Sequence, residues 1–318
     1  MKLGLDVMGG DFAPDATIKG AILAFKEIPN SDRIVLIGDE EIIKSKLEEF
    51  NADVNDFDIV HSSEVIGMGE KPIKAITQKP NSSINIGFKM LKSKKIDAFS
   101  SAGNSGATLV GAMYTINTIP GVIRPCTSGF FPKENGGVTL LLDIGTNPDA
   151  KPDVLYQFAI LGSIYMEAMH NIKNPKVGLL NIGDEEEKGN LQCQATFQLM
   201  QGTNEFNFIG NVESRELFKD KVDIIVCDGF IGNIVLKQIE AMYRLIEKRD
   251  RLDDYFKKFN YENYGGTPIL GVNMPVIIGH GISSDIAIKN MILQSREICN
   301  NKLAHKIKLA LSKHSPIK

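Results

Sequence analysis

The sequence lacks the marks of several large protein classes, and each absence removes a reading. Its 318 residues hold four cysteines, Cys126, Cys193, Cys227 and Cys299, far apart and without CxxC or metal-like spacing. Neither a disulfide framework nor a metal site is expected, and a reducing cytosol is the natural setting. No apolar run approaches the roughly 18 residues of a membrane-spanning helix. The first residues, "MKLGLDVMGGDFAP", enter a strand-like pattern at once, without the apolar core and cleavage site of a secretory leader. Charge of neither sign dominates: 36 basic against 39 acidic side chains leave a formal charge of −3, which speaks against nucleic acid as the main partner. A soluble, cytoplasmic protein is the expectation.

Signature motifs are missing too. No G-x-x-x-x-G-K-[ST] occurs, so a P-loop nucleotidase is not expected. No G-x-G-x-x-G follows the first strand, and "GHGISSD" at 279–285 only approximates it, which weakens a nicotinamide-dependent dehydrogenase. A G-x-S-x-G elbow for a serine nucleophile is absent. Cys227, closing the apolar "IIVCDG", reads as a core residue and not a nucleophile. Of five histidines, only His280, between an apolar strand and a helix, has a setting suited to catalysis. His61, His170, His305 and His314 fall in the tails of elements and are expected to be solvated.

What is present is alternation. Strand-like runs at 2–7, 33–37, 58–60, 96–100, 138–142, 176–180, 223–226 and 276–278 are interleaved with helical patterns at 15–27, 40–50, 104–116, 152–170, 190–200, 233–249 and 284–311. Strand, loop and helix in series predict an α/β protein with a largely parallel sheet. No repeat or linker interrupts it, so one domain over 1–318 is expected, with a helical excursion around 237–262.

The loops after the strands read "DVMGGD", "LIGDEE", "SSAGNSGA", "LDIGTNPD", "LNIGDEE", "CDGFIGN" and "IGHGISS". In a parallel sheet they share the carboxyl edge, where open α/β sheets bind ligands. The stretch Ala102, Gly103, Asn104, Ser105, Gly106 feeds a helix start, whose free amides and positive dipole end suit an anion such as phosphate. Asn104 or Ser105 caps that helix, and Ser100 and Ser101 offer hydroxyls; a plain cap with Gly103 as a turn is the alternative. Lys151 before Pro152, Lys188 after "GDEEE" and Arg124 in "GVIRPC" are phosphate partners or simply solvated cations.

Eight stretches in this order, "LDVMGGDFAP", "SAGNSGA", "LLDIGTNPDAKPDVLYQFAILG", "GLLNIGDEEEKGN", "FIGNVE", "VCDGFIGNIVLK", "NYGG" and "GHGISS", resemble the PlsX-type phosphate acyltransferases of bacterial phospholipid synthesis. The resemblance runs from Leu3 to about Ser295. It implies a three-layer α/β/α sandwich with a largely parallel mixed sheet, similar to the isocitrate and isopropylmalate dehydrogenases and the phosphotransacetylases. It implies transfer of a long-chain acyl group from acyl carrier protein to inorganic phosphate, with no cofactor or metal. A homodimer is implied as well, with the acyl phosphate passing to a membrane glycerol-3-phosphate acyltransferase.

The loops suit that chemistry. Phosphate is already an anionic nucleophile and needs orientation more than deprotonation. The departing thiol, with a pKa of about 8.5, needs no strong general acid. The oxyanion on the thioester carbonyl can be held by main-chain amides. On this reading residues 102–106 cradle phosphate, Asn147 and Lys151 orient phosphate or acyl phosphate, and Lys188 with Asn190 do so from the next loop. Asp6, Asp143 and Asp228 orient donors or cap loops, and Asn233 joins the substrate-binding set. His280 polarises the carbonyl or protonates the thiolate. In the excursion, Ile239, Met242, Tyr243 and Ile246 recur at helical spacing, with dimer packing preferred over membrane docking. The tail 298–318 holds five lysines, no acid and the stripe Leu303, Ile307, Leu311, a pattern suited to anionic lipid, an acidic carrier protein or plain solvent. Besides the acyltransferase, a dehydrogenase on a related fold and a non-catalytic membrane-associated scaffold stand as alternatives.

Overall fold

Short apolar runs form strands here because both of their faces are covered: in Lys2–Asp6 four of five residues are buried, the near-continuous pattern of a sheet packed on both sides. A computed structural model describes residues 1–312; His314 and the last two lysines of the basic tail, Lys313 and Lys318, lie outside the described residues. The strands are β1 (Lys2–Asp6), β2 (Arg33–Gly38), β3 (Asp58–His61), β4 (Ala98–Ser101), β5 (Cys126–Pro132), β6 (Val138–Leu142), β7 (Lys176–Leu180), β8 (Asn207–Val212), β9 (Ile224–Val226), β10 (Thr267–Leu270) and β11 (Val276–Ile278). The helices are α1 (Asp15–Phe25), α2 (Glu40–Glu49), α3 (Pro72–Gln78), α4 (Ser83–Lys92), α5 (Ser105–Gly111), α6 (Pro152–His170), α7 (Leu191–Met200), α8 (Gly229–Glu247), α9 (Asp285–Asn300) and α10 (Leu303–Leu311). The chain divides into two compact units, 1–118 with 261–304, and 119–260 with the segment from His305 onward.

In the first unit the strands run β3-β2-β1-β4-β11-β10, all parallel except β10, which is antiparallel to β11. The order reverses between β1 and β4, so the loops leaving these two strands flank a topological switch point, where such sheets hold ligands. Helices cover both faces. Phe99 of β4 packs edge-on against Phe88 of α4 at 5.1 Å, while its neighbour Ser100 shares a 2.7 Å hydrogen bond with Ser295 of α9. Successive strand residues point to opposite faces, so α4 and α9 lie on opposite sides.

In the second unit the order is β5-β6-β9-β7-β8, with β5 antiparallel to β6 and the rest parallel. Val235, Leu236 and Ile239 of α8 pack on the face that carries Leu141 and Ile225. Gly162 of α6 sits against Leu142 and Ile224, on the other face. Both units therefore have the mixed, mostly parallel sheet and flanking helices that the sequence predicts.

Differences from the sequence reading have local causes. β5 and β8 carry glycine inside the strand, Gly129 and Gly210, and Gly210 takes φ +99°, which breaks the apolar run. α8 starts at Gly229, four residues before the predicted 233, because the Asp228 carboxylate caps it by accepting from Ile231 N at 2.9 Å. The helix predicted at 284–311 breaks in two at Asn301 and Lys302, where Lys302 turns left-handed at φ +51°. The stripe Leu303, Ile307 is turned inward and buried, which corrects its reading as a face open to lipid or carrier. Among the described residues no helix is long and apolar enough to cross a membrane.

The Phe88–Phe99 contact depends on Gly87 of α4, where a Cβ would stand 2.1 Å from the Phe99 ring. Gly87→Ala is expected to cost about 1–3 kcal/mol by overpacking. Gly69→Ala, with nothing within 4 Å of the added methyl, should change stability by less than about 0.5 kcal/mol. Urea denaturation of the two variants checks the contrast, and equal losses would contradict this account of the core.

Candidate active site

The carboxyl edge of the first unit is built on a buried carboxylate. Asp6 closes β1 and is almost wholly excluded from solvent. It accepts from the Met8 amide at 3.0 Å and the Ser101 hydroxyl at 2.7 Å, with further hydrogen bonds from Ser83 and the Gly9 amide. The Ser101 oxygen in turn accepts from Gly103 N at 3.0 Å. Two loops thus converge on one acid, and glycine is required where they meet. A Cβ on Gly9 would stand 2.7 Å from Gly103 N and 2.4 Å from the Asp6 carboxylate.

The third loop of this edge follows β11. Gly279 N donates to Ser101 O at 2.8 Å, and Asp11 N donates to Gly281 O at 2.7 Å. The structure therefore brings Asp6, Ala102, Gly103, Asn104, Ser105, Gly106 and His280 to one edge. His280 is half-buried, and its ring packs on Tyr261 with centroids 4.9 Å apart.

Asn104 is the cap of α5, accepting from Ala107 N at 2.9 Å. Its amide nitrogen lies 3.0–3.2 Å from the carbonyls of Gly67, Met68 and Glu70, so both ends of the side chain anchor protein loops. Of residues 102–106, Ser105 and Gly106 supply the first two helix amides, which have no acceptor one turn earlier. Ala102 is buried. The hydroxyls of Ser100 and Ser101, expected as extra donors to an anion, are instead buried and committed to Ser295 and Asp6; this corrects their role.

The second unit repeats the device. Asp143, at the end of β6 and fully buried, accepts from Thr127 N and Oγ1, Thr146 N and Asn147 N at 2.6–3.2 Å. The Asn147 side chain is committed as well, donating to Asp143 at 2.9 Å and Pro125 O at 2.8 Å. Gly229 N donates to Asn147 O at 2.8 Å, which seats the start of α8 on this loop and gathers Asn147, Asp228 and the exposed Asn233. The Gln192 amide donates to Ala150 O, joining the α7 start to the residue before Lys151. Lys151 and Lys188 are exposed, and neither forms an ion pair among the described residues. Asn190 caps α7 through Cys193 N at 2.9 Å.

A family model described as fatty acid synthesis protein matches residues 1–306. A phosphate acyltransferase of Dictyoglomus turgidum is 41% identical over 332 aligned residues, with 98% of each chain covered. That of Brevibacillus brevis is 38% identical, with 99% of this chain and 98% of the relative covered. This chain belongs to the fatty acid synthesis protein family. Among solved structures, a phosphotransacetylase from Streptococcus pyogenes superposes with a TM-score of 0.65 at 18% identity, covering 94% of both chains. A branched-chain phosphotransacylase from Enterococcus faecalis scores 0.63 at 11% identity, covering 94% of this chain and 99% of that one. At such identities the likeness is one of fold, and it matches the α/β/α architecture expected from sequence.

In this member of the family, burial pushes the Cys126 and Cys227 thiols well up, Cys299 up to about 12, and the half-buried Cys193 up as well. Cys227 is the core residue that its apolar strand predicts. Sequence reasoning missed Ser83, Thr127, Thr146 and Glu70, which anchor the loops. Only Thr146, inside "DIGTNPD", sits in a stretch that could have pointed to it.

Burial pushes the Asp6 carboxyl above its ordinary 3.8, although hydrogen bonds from Ser83, Ser101 and the amides of Met8 and Gly9 oppose the shift. An acid with a raised folded pKa contributes stability that is complete below 3.8 and is lost as pH rises through the folded value. Asp6→Asn has no carboxyl to titrate and lacks this contribution. The stability of the wild type relative to Asp6→Asn should therefore be highest near pH 4 and fall toward neutrality, as followed by urea denaturation. A difference that grows with pH would contradict it.

Proposed function

We propose that the protein transfers a long-chain fatty acyl group from acyl carrier protein to inorganic phosphate, releasing acyl phosphate for glycerophospholipid synthesis. The observation that carries this reading is the near full-length match to phosphate acyltransferases, on a fold shared with phosphotransacetylases. The match spans both units, so the activity is assigned to the chain as one catalytic domain.

In the reaction a phosphate oxygen attacks the thioester carbonyl, the new C–O bond forms, and the C–S bond breaks. The proton of hydrogen phosphate ends on the departing sulfur. The chain's part is to hold and orient the anion and to stabilise the carbonyl oxyanion. Ser105 and Gly106 contribute main-chain amides at the positive end of α5, with Gly103 shaping the approach. Asn104 acts as a positioning residue, because its side chain is taken up by the loops it joins. Asn147 has the same standing in the second unit, beside Asp228 and Asn233. Lys151, Lys188 and Asn190 offer donors and positive charge to phosphate or acyl phosphate. His280 polarises the carbonyl or hands a proton to sulfur.

The reading extends to assembly and place. α8 has one side packed in its own unit and another exposing Phe230, Ile231, Ile234, Met242 and Leu245. This face suits a second copy of the chain, with peripheral membrane contact as the further use of the same region. Such a cytoplasmic dimer would deliver acyl phosphate to a membrane glycerol-3-phosphate acyltransferase.

Incubation with palmitoyl carrier protein and phosphate should release free carrier thiol and an acyl phosphate trappable as the hydroxamate; thiol release without phosphate dependence would refute the assignment. Ser105→Pro removes one amide at the first helical position, which proline tolerates. It should raise the phosphate KM about 10–100-fold, the loss of one charge-assisted hydrogen bond of about 1.5–3 kcal/mol, with the circular dichroism spectrum unchanged. Ile234→Asp should halve the mass measured by sedimentation if α8 forms the dimer face.

A further inference from the structure

An open groove runs along α3, beside the anion loop, and no role described above uses it. It measures about 470 Å³, lies largely open to solvent and is lined by Lys71, Pro72, Ile73, Lys74, Thr77 and Gln78. That volume lies in the range of small-ligand sites, about 300–1,000 Å³. Its wall is mainly carbon, and Ile73 projects from it with 66% of its surface exposed. The lysines that flank Ile73 can add their aliphatic stems while their ammonium groups stay in water.

Three contacts within the first unit place the groove next to the site. The Pro72 ring packs on Gly106, where a Cβ would stand 2.4 Å from Pro72 Cγ. The Asn104 amide holds the carbonyls of Gly67, Met68 and Glu70, the segment that leads into α3. The Met68 methyl lies against Gly281, next to His280, 2.6 Å from where a Cβ on that glycine would be. The half-exposed Met68, against Gly281, and the exposed Ile73, one residue past the Pro72 that packs on Gly106, are thus aliphatic side chains on the segment that leads from these loops into α3.

We propose that these side chains and the groove hold the aliphatic tail of the acyl donor, and that Ile73 and Met68 set the preference for chain length. The inference rests on the acyltransferase reading: with phosphate at the Ser105 and Gly106 amides, the carbonyl that it attacks lies next to it, and Pro72, packed on Gly106, puts the start of the groove beside the alkyl chain. Each further methylene of the tail then finds hydrocarbon instead of water. The groove discriminates by length because its exposed wall is mainly carbon, so a longer tail removes more apolar surface from water than a shorter one.

The test measures kcat/KM for palmitoyl and octanoyl thioesters of one carrier protein with saturating phosphate, in the wild type, Ile73→Asp, Met68→Asp and Leu309→Asp. Leu309 is an exposed residue of α10 and serves as the control. The palmitoyl-to-octanoyl ratio should fall by about 10-fold or more in Ile73→Asp and Met68→Asp, and stay at the wild-type value in Leu309→Asp. A ratio unchanged within about twofold in both groove variants, or lowered equally in Leu309→Asp, overturns the groove alone, because phosphate-dependent turnover persists. Absence of phosphate-dependent turnover in the wild type overturns the acyltransferase reading and the groove with it.

Discussion

A buried carboxylate at a strand end is the constraint on which the loops of each unit depend. Asp6 closes β1 and Asp143 closes β6, and both are sealed from solvent. Each collects amides and hydroxyls from chain that would otherwise have no regular partner. A buried acid is tolerated only when donors surround it, so the loops cannot relax without leaving a charge unsolvated. This ties loop shape to sheet geometry without any helix or strand passing through the loop.

The same arrangement sorts main-chain amides into two kinds. Those of Met8, Gly9 and Asn147 are spent on the carboxylates. Those of Ser105 and Gly106 begin a helix whose cap, Asn104, satisfies only Ala107. The second kind is left without a partner one turn earlier, whereas the first is already committed. Close approach of Gly9 and Gly103 is what permits this division, since a methyl on Gly9 would stand 2.7 Å from Gly103 N.

Side-chain anchors extend that rigidity outward. Glu70 accepts from Gly67 N at 2.7 Å and pairs with Lys79 at 2.5 Å, so the 65–70 segment is braced on one side by this pair and on the other by Asn104. α3 follows directly and inherits its position, with Pro72 against Gly106. α8 is placed by the same logic in the second unit, through Gly229 on Asn147, with apolar residues left over on its outer side.

The amino-acid order alone determined the class of fold, most of the parallel strands and the clustering of small polar loops at one edge. Those properties follow from local periodicity and from the turn chemistry of glycine, asparagine and aspartate, which act within a few residues. It also supported the burial of Cys227 and pointed to the loop at 102–106. Only the tertiary structure decided which groups in those loops are available. Asn104 and Ser101 look like anion ligands in sequence, yet their partners lie 34–37 and 95 residues away and consume them. The glycine-bearing strands β5 and β8 and the inward turn of Leu303 and Ile307 were likewise settled by pairing and packing with distant chain. Hydrogen-bond saturation is a property of the assembled neighbourhood, and no local pattern of residues encodes it.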